Sequence, residues 1–143
     1  MIKEIHLATY PVRLMLCTSY EETEKMYAAF DCEFKSKGAA FVERLDSDNI
    51  GAIFVLGFCD YETALDNGIL CHELIHLKNR ICQLVGTQID FDNDEPEAYF
   101  FGYLFETLSA IIRHEDMPEI QPEDEDSMVH FIKYGAPSES DTV

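Results

Sequence analysis

Residues 39–58 read AAFVERLDSDNIGAIFVLGF, and residues 63–85 read TALDNGILCHELIHLKNRICQLV. The first segment holds two runs, Ala39 to Leu45 and Ile50 to Phe58, parted by the polar turn Asp46-Ser47-Asp48-Asn49. Aromatic and β-branched residues on either side of a turn cluster predict two strands in an antiparallel hairpin. The second run, centred on Ile53 to Leu56, is the more apolar. The period then changes. Leu70, Leu74, Leu77, Ile81 and Leu84 recur at three- and four-residue steps and predict one amphipathic helix over 63–85, stopped by Gly86. A hairpin running straight into a long helix sets the fold class at α+β, with a short antiparallel sheet packed on helices.

Working outward, Pro11 to Cys17 predicts a further strand. Ser19 is placed to cap a helix over Tyr20 to Phe30, with Glu21, Glu22 and Glu24 in its first turn. Asp90 to Asp94 reads as a loop, and a second long helix is expected over Glu95 to His114, ended by Met117-Pro118. Its run Phe100, Phe101, Leu104, Phe105 and Leu108 reads as core, with a dimer face as the alternative. No internal repeat interrupts the 143 residues, which suit one domain. The expected division is a single α+β domain over 1–116 and an acidic, mobile tail over 117–143. Within that tail the apolar island Met128 to Tyr134 could dock as a strand or short helix.

Charge narrows the function classes. The chain carries 28 Asp and Glu against 10 Lys and Arg, a formal net of −18. Phosphate contacts need clustered bases, so direct nucleic-acid binding is not expected, and neither is attraction to anionic lipid. An acidic surface that mimics nucleic acid stays open. Residues 115–143 contribute 9 acids and one base, and five more acids crowd Asp90 to Glu97. No signal peptide is read at Met1 to His6, and no apolar run reaches the roughly 18 residues of a membrane span. Cys17, Cys32, Cys59, Cys71 and Cys82 show no CxxC spacing and read as reduced, mostly buried thiols of a cytoplasmic protein.

The chemistry sits in His72-Glu73-Leu74-Ile75-His76. On a helix, positions i and i+4 share a face at about 5–6 Å between Cβ atoms. Two imidazoles there can converge on Zn2+ at about 2.0–2.1 Å, while Glu73, one residue round, is placed as general base. A catalytic zinc needs a third protein ligand, and Glu95 and Glu97 open the next helix. They lie about 200° apart on a helix, so both cannot point the same way. With Asp94 as N-cap, Glu97 becomes the N3 partner of a capping box. Glu95 shares its face with Ala98, Tyr99 and the small Gly102, which favours Glu95 as the ligand.

HExxH followed by a helix beginning Glu95-Pro96-Glu97-Ala98 resembles the small gluzincin metallopeptidases, among them the ImmA/IrrE-like domains of mobile elements. The segment Asn93 to Tyr99 is also similar to phage and prophage HExxH proteins. The resemblance covers about residues 50–115 and rests on the two motifs. It implies a minigluzincin-like core, zinc on His72, His76 and Glu95, and a peptide or protein substrate cleaved with Glu73 as base. Tyr99 departs from the pattern, standing where peptidases sharing this core carry Asp. Tyr99 is the candidate donor to the oxyanion, with Tyr103 and His114 behind it, and the strand at Ile53 to Leu56 is a candidate platform for an extended peptide.

The alternative is a non-enzymatic phage or mobile-element protein, using a structural zinc site or its acidic surface against a basic partner. Asp90-x-Asp92-x-Asp94 begins like a calcium loop but carries Glu95 where Gly is needed and Phe101 where Glu is needed, so it reads as a turn. Cys71, beside His72, is expected to be a buried thiol.

Overall fold

A computed structural model describes residues 1–7, 12–35, 38–47 and 51–114. Its elements are β1 (Ile2–His6), β2 (Arg13–Cys17), α1 (Tyr20–Ala29), β3 (Ala40–Ser47), β4 (Gly51–Phe58), α2 (Tyr61–Ala64), α3 (Asn67–Val85) and α4 (Glu95–Ile112). This is a small α+β fold with one four-stranded sheet. Two compact units divide the chain, and the boundary falls inside α3, after Glu73. The expected tail over 117–143 and its apolar island lie outside the described residues.

In the first unit the strand order is β1-β2-β4-β3. The expected hairpin forms: β3 and β4 run antiparallel in the register Ala40↔Phe58 to Ser47↔Gly51. The expectation of a wholly antiparallel sheet fails, because β2 and β4 are parallel, Arg13 facing Ile53 and Cys17 facing Gly57. The connection from β2 to β4 passes through α1 and β3, long enough for a parallel crossover. The sequence reading also has no counterpart to β1, which pairs antiparallel with β2. Its residues are mostly exposed, so it carries little apolar signal.

The two inner strands explain their own composition. Leu14 and Leu16 of β2, and Phe54, Leu56 and Phe58 of β4, are fully buried on one face of the sheet. Met15, Cys17, Ile53 and Val55 are buried on the other, where Met26 and Tyr27 of α1 and Phe41 of β3 complete a core. Strands covered on both faces read as continuous apolar runs instead of alternating ones. Ser19 caps α1 as expected, its hydroxyl accepting from the Glu22 N–H at 3.2 Å.

The helix expected over 63–85 is two helices. Asp60 caps α2, accepting from the Thr63 N–H at 2.8 Å, and Asp66 starts again, accepting from the Ile69 N–H at 3.0 Å. Two carboxylate caps six residues apart break a run whose periodicity looked continuous. In α3 Leu70, Leu74, Leu77 and Ile81 are fully buried, but Leu84 is exposed and Cys82 takes its place inside. Gly86 adopts φ 73°, and the Thr87 N–H donates to the Cys82 carbonyl at 2.9 Å, so the expected stop forms in the left-handed conformation that glycine favours.

In the second unit Phe100, Leu104 and Leu108 of α4 are fully buried, while Phe101 and Phe105 of the expected core run are only half-buried. The capping box does not form. Asp94 has φ −97° and ψ 7° and makes no side-chain cap bond, and Pro96 at the second helical position has no N–H to offer. Glu97 instead pairs with the Lys78 ammonium of α3. Among the described residues no helix is long and apolar enough to cross a membrane.

Candidate metal centre and cleft

On α3 the polar residues fall where helical geometry puts them. His72, His76, Asn79 and Gln83 are exposed along one stripe, at steps of four, three and four residues, opposite the buried leucines. The two histidines therefore sit one turn apart on the open side of one helix. Glu73, between them in sequence, turns inward and keeps only 7% of its surface. It lines a cleft of about 330 Å³ with His72, Gly68 and Ile69 of α3 and with Ala39 and Ala40 at the head of β3. Among the described residues no cation or hydrogen-bond donor is paired with its carboxylate.

β3 forms an edge of the sheet. That corrects the expected peptide platform: Ile53 to Leu56 belong to β4, which has β2 on one side and β3 on the other, so its backbone groups are already paired. The strand with an open side beside the Glu73 cleft is β3. The ladder continues past its start, the Cys59 N–H donating to the Ala39 carbonyl at 2.8 Å.

Tyr20 was not singled out by sequence, where it reads only as the first residue of α1. Its hydroxyl donates to the Gly38 carbonyl at 2.5 Å, next to the cleft-lining Ala39. Its ring packs edge-on against Phe34 at 5.1 Å between centroids and lies 6.0 Å from Phe41. Burial, with further contributions from Cys59 and Glu73, pushes the phenol up to about 12, so it stays a proton donor throughout the physiological range. A long-range contact of this kind leaves no local signal; the aromatic residue at a helix start was the available hint.

The other candidates lie on α4. Glu95 is exposed in its first turn and Tyr99, one turn on, is 54% exposed. Glu97 is committed to Lys78, so its structural role stands with a partner other than the one expected. Tyr103 is half-buried and His114 exposed, the latter at φ 56° just beyond α4. Among the described residues no group of three or more His, Cys, Asp and Glu side chains is placed to hold a metal. The donor chemistry nevertheless suits zinc in part: two imidazoles share one face of α3, and the Glu73 carboxylate meets no cation among the described residues. Cys71 is half-buried and not buried as expected. Of the five unpaired thiols only Cys17 and Cys82 are buried, and burial pushes each up to about 11. No family model matches the chain, and neither a curated protein nor a solved structure matches it.

Proposed function

We propose that the chain is a zinc-dependent, gluzincin-type metallopeptidase-like protein, with His72, His76 and Glu95 as metal ligands and Glu73 as general base. The observation that carries this reading is the disposition of the HExxH helix. It has two exposed histidines one turn apart, and between them a nearly buried glutamate opening on a cleft at a sheet edge. A zinc ion bound by that set supplies Lewis-acid polarisation of the scissile carbonyl.

The rest falls to the protein's own groups. The Glu73 carboxylate accepts the proton of the attacking water at one of its oxygens and delivers it to the departing amine nitrogen. The apolar Ala39, Ala40 and Ile69 around it limit competing water. The open side of β3 offers backbone N–H and C=O groups to an extended peptide, so the substrate adds as a further strand. Tyr20 fixes the Gly38 end of that strand, and Tyr99 is assigned as hydrogen-bond donor to the developing oxyanion. Disulfide formation is disfavoured in a reducing cytoplasm, which suits five unpaired cysteines.

The test is metal content beside activity. Purified protein is expected to hold about one zinc per chain by elemental analysis, lost in His72→Ala. Glu73→Gln should keep the zinc and lose peptide cleavage. A metal-free protein with unchanged fold, or full cleavage by Glu73→Gln, overturns the reading.

A further inference from the structure

A second groove, of about 480 Å³, lies wholly in the second unit. His76, Asn79, Arg80 and Gln83 of α3 line it, with Thr87 and Ile89 beyond the Gly86 turn. Its charge is the opposite of the molecule's. The chain carries 28 acidic residues, yet no side chain lining this groove is acidic and one is a guanidinium. Four other bases face carboxylates, Arg13 with Glu4, Lys25 with Glu21, Arg44 with Asp46 and Lys78 with Glu97. Arg80 makes no ion pair with a carboxylate among the described residues. Around it stand Asn79 and Gln83, whose amides donate and accept hydrogen bonds and carry no charge.

We propose that this groove is the subsite for a carboxylate carried by the substrate, with Arg80 as its recognition group and the Asn79 and Gln83 amides as flanking donors. The inference rests on the peptidase reading, because His76 is both a wall of the groove and a proposed metal ligand. It adds the substrate class to that reading. Arg80 stands four residues, or about 6 Å of helix rise, beyond His76. A guanidinium takes a carboxylate through two parallel N–H···O bonds, a geometry that neither a carboxamide nor a backbone carbonyl reproduces. Two sources offer that group near the cut: the C-terminal carboxylate of a short peptide and an internal Asp or Glu side chain.

The experiment uses the full chain carrying Glu73→Gln, which holds a peptide without cutting it, and three probes followed by NMR titration. The probes are N-acetyl-tetra-alanine with a free C-terminus, N-acetyl-Ala-Ala-Glu-Ala-amide and N-acetyl-Ala-Ala-Gln-Ala-amide. At least one carboxylate peptide is expected to bind about tenfold or more tighter than the glutamine amide, shifting the amides of residues 79–87. Which one binds identifies the source of the carboxylate. Adding Arg80→Gln should erase the preference, with thermal melting checking that the fold is kept. Equal binding of all three probes, binding by none, or a preference that survives Arg80→Gln overturns the proposal. Zinc content measured on the same samples separates the two readings. A metal-free protein that still discriminates through Arg80 leaves the subsite standing and removes the peptidase. Zinc-loaded samples without discrimination, from a parent chain that cleaves peptide, do the reverse.

Discussion

Two glutamates with little exposed surface, Glu73 and Glu97, sit in environments of opposite kind. Glu97 keeps 17% of its side-chain surface and faces Lys78, itself 8% exposed, across from α4 to α3. That carboxylate is neutralised where it stands. Glu73 keeps 7% of its surface and has no cation against it among the described residues; what it has is a cleft and two flanking histidines. Removing a carboxylate from water costs free energy that a structural role must offset with a partner. In the proposed reading, a nearly buried carboxylate held without one is kept for proton transfer.

The sharpest way to break this contrast is to neutralise each carboxylate in turn. Glu73→Gln is expected to lower kcat for peptide cleavage by about 10²–10⁴-fold, the range for loss of a general base. It should not lower the unfolding free energy, since no ion pair among the described residues is broken and an uncompensated, nearly buried charge is removed. Glu97→Gln should do the opposite. It leaves the Lys78 ammonium buried without a counter-charge, costing about 3 kcal/mol, the lower end for a broken buried pair because Glu97 is not fully enclosed. Urea unfolding and steady-state kinetics on both variants decide it. A large stability loss in Glu73→Gln, or none in Glu97→Gln, removes the distinction.

The same contrast shows what the sequence could reveal. The HExxH spacing placed two imidazoles on the polar stripe of α3, because helical periodicity is a local property that Leu70, Leu74, Leu77 and Ile81 announce. The β3–β4 hairpin was legible for the same reason, because a run of polar residues parts two apolar runs in the sequence. The partner of Glu97 was not. A capping box is written in four consecutive residues, whereas the Lys78 pair joins positions 19 apart and depends on how two helices meet. Pro96 was the local sign against the box, since it removes one of the N–H groups that Asp94 would cap. The parallel pairing of β2 with β4 and the hydrogen bond of Tyr20 to Gly38 are likewise long-range. A short apolar strand does not encode the direction of its neighbour.

A substitution that touches neither glutamate tests whether the cleft depends on the edge strand. Gly57 of β4 sits opposite Phe41 of β3, and a Cβ added there would overlap the Phe41 ring. The ring belongs to the core of the first unit and contacts Tyr20, so it has little room to yield. Gly57→Ala is expected to cost about 1–3 kcal/mol, as overpacking does, measured by denaturant unfolding. It should also raise KM for peptide more than it lowers kcat, because it displaces β3 while leaving Glu73 and the histidines intact. Unaltered stability would mean that Phe41 has an alternative rotamer and that the edge is not fixed from below.

The smallest effect belongs to a third glutamate, paired like Glu97 but exposed to water. Glu22 accepts from the N-terminal ammonium at 2.5 Å, with its side chain 36% exposed. That hydrogen bond, reinforced by the charge of the same ammonium, holds the Glu22 carboxyl below its ordinary 4.5. A carboxyl whose pKa is lower folded than unfolded favours the native state above the unfolded value. The contribution is lost as pH falls through the folded one. Glu22→Gln should therefore lower stability by less than about 1 kcal/mol at pH 7, less again in high salt, and by nothing measurable once both carboxyl forms are protonated. Parallel unfolding of parent and variant at pH 7 and pH 3 checks the sign. If Glu22→Gln cost as much as Glu97→Gln, burial would not be what separates a structural carboxylate from a decorative one, and the argument that sets Glu73 apart would lose its scale.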